Sequence, residues 1–62
     1  MVNEQEYVHR AYNRFVERGV GEDELTWQRA ELMYQCEEEM GFVLTPEEAV
    51  DEELLYAAEN QG

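Results

Sequence analysis

The segment Gly41-Phe42-Val43-Leu44-Thr45-Pro46-Glu47-Glu48 ends one helix and begins another within a few residues. Thr45 has the chemistry of an N-cap. Pro46 takes the first helical position, where a missing N–H is no loss, and Glu48 stands where a capping box needs it. Gly41 supplies the left-handed residue that stops the preceding helix. Leu44 and Ala49 occupy the hydrophobic-staple positions on either side of the cap. A chain built around this segment is committed to a helix on each side of it. A short strand at Phe42-Val43-Leu44 would find no second run to pair with.

The same punctuation recurs upstream. Asn3 is placed to cap a first helix, Glu6 follows three residues later and Gly19 stops it. Within it Tyr7, Val8, Ala11, Tyr12, Phe15 and Val16 form one wide apolar stripe at helical spacing. Arg10, Arg14 and Arg18 form a separate row every fourth residue. Two glycines and a run of acids, Gly19 to Glu24, then lead into a second helix ending at Met40. Its apolar residues, among them Leu25, Trp27, Leu32, Tyr34, Cys36 and Met40, wrap much of the circumference, so cover on several sides is expected. The third helix should turn Ala49, Val50, Leu54, Leu55, Ala57 and Ala58 inward, and Asn60-Gln61-Gly62 reads as a frayed end. The fold class is therefore all-α: three short helices, over about 4–18, 24–40 and 46–59, in one small bundle spanning 1–62.

At 62 residues the chain is short of interior. A domain of this size hides only about 60% of the surface its unfolded chain exposes, and needs a disulfide, a metal or a second copy. Cys36 is the only cysteine, and one thiol with His9 and scattered carboxylates has no recognisable zinc spacing. Self-association is the remaining help. The expected partner is a second copy, a homodimer completing the bundle.

Sixteen acids against four arginines and no lysine give a net charge of −12. Residues 1 to 20 are balanced, so the whole excess lies beyond them, where Arg29 is the only base. Direct binding to nucleic acid is disfavoured, because phosphates are held through Lys and Arg. No run approaches the length of a membrane span, and the first residues lack a signal peptide's basic and apolar regions, so no membrane partner and a cytoplasmic location are expected. The charge suggests three uses: receiving the arginine row of a second subunit, binding a basic host protein as a DNA mimic or antitoxin-like inhibitor does, or adaptation to salt. Halophilic acidity usually draws on Asp, and here Glu far outnumbers it. Mutual repulsion among the acids would raise their folded pKa values, so the destabilisation should ease as pH falls toward about 4.3.

Catalysis finds no footing. There is no serine, and the three glutamates after Cys36 disfavour a thiolate, so Cys36 reads as a small buried hydrophobe. The acidic runs lack the pattern of a calcium loop and read as solvated faces. No catalytic, cofactor-binding or metal-ligating residue is expected, and the chain reads as no enzyme. The candidate interface residues are Trp27, Leu32, Tyr34 and Cys36 from the second helix with Arg10, Arg14 and Arg18 from the first, since Trp, Tyr and Arg dominate protein interfaces.

Two resemblances extend this reading. Glu31 to Ala49, "ELMYQCEEEMGFVLTPEEA", about a third of the chain, resembles the second helix and following loop of acyl carrier proteins. That family carries phosphopantetheine on a serine at the start of this helix. Here Thr26 takes the position between Leu25 and Trp27, and the resemblance implies a small-ligand carrier as the alternative function. The short length, the acidity and the pattern "EYVHRAYNRFVERG" also resemble the small early-region proteins of lambdoid phages encoded between the exonuclease and excisionase genes. This likeness implies an all-helical, dimeric accessory protein that biases the choice between lysis and lysogeny through a host factor, in the host cytoplasm. The leading expectation is a non-enzymatic regulatory interaction protein.

Overall fold

Helix α1 spans Glu4–Glu17, α2 spans Glu24–Met40 and α3 spans Pro46–Asn60 in the computed structural model, which describes residues 3–60. No strand occurs among the described residues. Asn60 belongs to α3, its side-chain amide donating to the Tyr56 carbonyl at 2.9 Å, so the expected fraying does not reach it. Gln61 and Gly62 lie outside the described residues.

Each boundary is made by local chemistry. Asn3 Oδ1 accepts from the Glu6 N–H at 2.7 Å. Asp23, not singled out in the sequence, caps α2: its Oδ1 accepts from both the N–H and the hydroxyl of Thr26 at 3.0 Å. These bonds, the backbone one first, lower the Asp23 pKa. The box at α3 is reciprocal, with the Glu48 N–H donating to Thr45 Oγ1 and the Thr45 N–H donating to Glu48 Oε1, each at 3.2 Å.

Helices α1 and α2 end in the same way. The Val20 N–H reaches the Phe15 carbonyl at 3.0 Å, and the Phe42 N–H reaches the Glu37 carbonyl at 2.8 Å. Gly19 (φ 77°) and Gly41 (φ 87°) carry the left-handed turn that makes these bonds reachable. Phe42 also has a positive φ of 55°, unfavourable for a bulky side chain. Packing holds it there, its ring lying 6.0 Å from Tyr7 and 5.4 Å from Tyr34.

Helix α1 is the spine. Its stripe of Tyr7, Val8, Ala11 and Phe15 is buried, and Ala30 of α2 and Val50 of α3 join it in one core. The contacts Tyr7–Tyr34 and Tyr12–Trp27 set α2 antiparallel to α1. The pairs Arg10–Glu47 and Arg14–Asp51 set α3 parallel to it. Both outer helices lean on α1 and make only slight contact with each other.

This geometry corrects part of the expected interior. Leu55 is 57% exposed, and Ala57 and Ala58 are exposed as well. Because α3 runs parallel to α1 and pairs with it from Glu47 onward, α1 ends opposite the middle of α3. The last turns of α3 have no spine beneath them.

Candidate docking groove between α2 and α3

Two helices that share a spine and scarcely touch leave a furrow between them. The furrow has a volume of about 500 Å³ and is floored by Phe15, which is fully buried. One wall is a single stripe of α2 at spacings of three and four: Arg29, Leu32, Met33, Cys36, Glu37 and Met40. The other is a stripe of α3, Ala49, Glu52, Glu53 and Tyr56, with Leu44 at the entrance. Leu32 is 59% exposed, and Met40 and Tyr56 are each 67% exposed, so the walls present apolar surface to water.

The stripe separates the two faces of α2. Trp27, Ala30 and Tyr34 turn toward α1. Trp27 lies 5.3 Å from the Tyr12 ring and 5.7 Å from His9, and Tyr34 lies 5.5 Å from Tyr7. Of the four α2 residues expected at an interface, Trp27 and Tyr34 are half-buried in the chain's own packing, whereas Leu32 and Cys36 stand on the open wall. Cys36 is exposed, contrary to its reading as a buried hydrophobe, because its position on α2 faces the furrow instead of α1.

The arginine row has a different destination from the one expected. Arg10 grips Glu47 with two bonds, Nε to Oε2 at 2.9 Å and Nη2 to Oε1 at 2.6 Å. Arg14 grips Asp51 in the same forked manner at 3.1 and 2.7 Å, and Arg18 shares Asp51 at 3.1 and 3.2 Å. The row, one of whose expected uses was to enter the acidic face of a second subunit, is a ladder between parallel helices of one chain, rung spacing four against spacing four. Its carboxylates shift opposite to the expected repulsion. The Arg10 bonds lower the Glu47 pKa, and Arg14, then Arg18, hold Asp51 down at about 2.

That leaves Arg29 without an ion-pair partner among the described residues. Two turns further along the same wall is Glu37, which is only 8% exposed and whose Oε2 has no hydrogen-bond partner. The buried Tyr7 hydroxyl also lacks one, and burial, then the Glu37 charge, push its pKa up to about 12. A carboxylate left this way is unfavourable unless a donor arrives. Sequence reading passed over Glu37 because it sits inside the run Glu37-Glu38-Glu39. The discriminating signal was its place in step with Leu32, Met33, Cys36 and Met40.

Thr26, the position matching the carrier family's modified serine, is 2% exposed, and its hydroxyl donates to Asp23. Among the described residues no group of three or more His, Cys, Asp or Glu is arranged to hold a metal ion, and no helix is long and apolar enough to cross a membrane. Comparison with protein-family models, with curated proteins and with solved structures finds no match to this chain.

Proposed function

We propose that this chain is a non-enzymatic helical interaction protein that works as a homodimer, closing its α2–α3 furrow with a second copy and offering its acidic outer faces to a basic protein. The observation that carries the reading is the furrow itself. Leu32, Met40 and Tyr56 hold apolar surface open to water on a chain too small to hide it alone. The remaining charge suits the second half of the proposal. With Arg10, Arg14 and Arg18 engaged by Glu47 and Asp51, acids such as Glu38, Glu39 and Glu59 stay exposed without a cation on them among the described residues. A basic host factor of the kind implied by the early-region phage resemblance is the partner such a surface favours.

Sedimentation equilibrium tests the dimer directly. Twice the chain mass is expected as concentration rises, and Leu32→Asp should shift the association midpoint by about a hundredfold or more by placing a charge in the apolar contact. A compact monomer persisting to millimolar concentration would defeat the reading. The acidic face is tested by Glu38→Gln with Glu39→Gln. A basic partner retained by the wild type should be lost from this variant and should release as salt is raised.

The carrier alternative makes the opposite demand on Thr26. Its hydroxyl already serves as a donor inside the α2 cap, closed to solvent, which favours the interaction reading. Incubation with a phosphopantetheinyl transferase is expected to leave the mass unchanged, and a stoichiometric adduct at Thr26 would restore the carrier.

A further inference from the structure

We propose that the second copy docks through α2 in one antiparallel register, centred on Met33, in which Arg29 of each chain pairs with Glu37 of the other. The proposal rests on the homodimer reading above and adds the geometry. A two-fold interface brings the same patch from both copies together, so the pattern on one helix must complement its own reversal. When α2 is reversed about Met33, position 29 falls opposite 37 and 37 opposite 29. The only arginine outside the ladder thereby meets the small part of Glu37, 8% of its surface, that the fold leaves open on the furrow wall.

Charge chooses this register over the one apolar contact alone would choose. Centring on the middle of the stripe, between Tyr34 and Gln35, would set Leu32 against Glu37. The last exposed part of Glu37 would then be covered by a hydrocarbon, leaving an uncompensated buried carboxylate. Centring on Met33 avoids that and keeps Leu32 and Met33 at the axis. Arg29 and Glu37 are eight residues apart, about 12 Å along the helix, so the two pairs flank the apolar centre symmetrically. Glu52 and Glu53 on the facing wall of α3 reinforce the field that an incoming Arg29 enters. The net charge opposes any approach of two copies, but at physiological salt it is screened beyond about 8 Å, whereas a covered pair is screened much less.

Charge exchange tests the register. Arg29→Glu alone opposes Glu to Glu37 at two places in the dimer, and Glu37→Arg alone opposes Arg to Arg29 at two places. Each is expected to weaken self-association by roughly tenfold or more. An equimolar mixture of the two single variants recreates both pairs in a heterodimer, and the double variant recreates them in a homodimer; both should return to near wild-type affinity. A second measurement avoids the charges: Met33→Cys in a Cys36→Ala background, exposed to dissolved oxygen as the oxidant, should cross-link into a disulfide dimer, while Leu25→Cys in the same background should not. Dimers that form without rescue in the mixture, or that cross-link equally at both positions, overturn the register and leave the homodimer standing. A wild-type chain that stays monomeric overturns both.

Discussion

Replacing Phe15 by alanine should leave a chain that no longer melts cooperatively near the wild-type temperature. Phe15 is fully buried on α1 and meets both outer helices at once, closing the core around Ala30 and Val50 and flooring the furrow. Phe-to-Ala changes in cores cost about 3–5 kcal/mol. A 62-residue domain has on the order of 3–9 kcal/mol in total, by the usual stability per residue. The loss therefore removes between about a third and all of what holds the fold. Little relaxation is available to soften it, because α2 and α3 make only slight contact and cannot close over the gap without leaving α1. Circular dichroism melts at one fixed protein concentration give the measurement, the concentration being fixed because the proposed self-association would make stability depend on it. Leu25→Ala is the control. That side chain is 69% exposed, and its loss should move stability by no more than about 0.5 kcal/mol. If Phe15→Ala melted within a few degrees of the wild type, the placing of the core on α1 would be wrong.

The difference between what the sequence discloses and what it hides follows from distance along the chain. Thr45 and Glu48, Asn3 and Glu6, and the glycines at 19 and 41 act on neighbours a few residues away, so their chemistry is visible in the string and all of them do in the structure what their positions imply. Arg10, Arg14 and Arg18 are visible as a row, but their destination is not. Their partners lie more than thirty residues on, reached only because α3 runs parallel to α1. The furrow was hidden for a different reason. The stripe through Leu32, Cys36 and Met40 and the face through Trp27, Ala30 and Tyr34 interleave on one helix, so α2 reads as apolar all round until α1 is known to cover one face only. Leu55, Ala57 and Ala58 mislead similarly, being an inner face by periodicity with no spine to lie against. Local signals fix the elements here, and the relative lengths of α1 and α3 decide which apolar residues remain open.

Lowering the pH from about 4 to about 2 should unfold the protein along a limb set by the ladder, and Asp51→Asn should flatten that limb. Asp51 is held at about 2 in the fold, against 3.8 ordinarily, because it accepts four hydrogen bonds from Arg14 and Arg18; Glu47, gripped by Arg10, is lowered as well. With both folded values depressed, the unfolded chain takes up these protons first as pH falls. The stability they contribute is fully present above the ordinary carboxylate values and is lost as pH descends toward the folded values. The expected relief of self-repulsion runs the other way and belongs to a higher window, between neutrality and about pH 4.3. Melting temperature plotted against pH should thus rise or stay level on leaving neutrality, then fall through the acid window. Asp51→Asn keeps the shape of the acceptor and removes the charge, so it should melt lower than the wild type at pH 7 and lose less between pH 4 and 2. Both ladder carboxylates are about a third exposed, which lets salt weaken the rungs and should shrink the difference between the two proteins. A wild-type melting temperature that kept climbing down to pH 2, with Asp51→Asn parallel to it, would show that the rungs contribute nothing and that α3 is held to α1 by Ala49, Val50 and Leu54 alone.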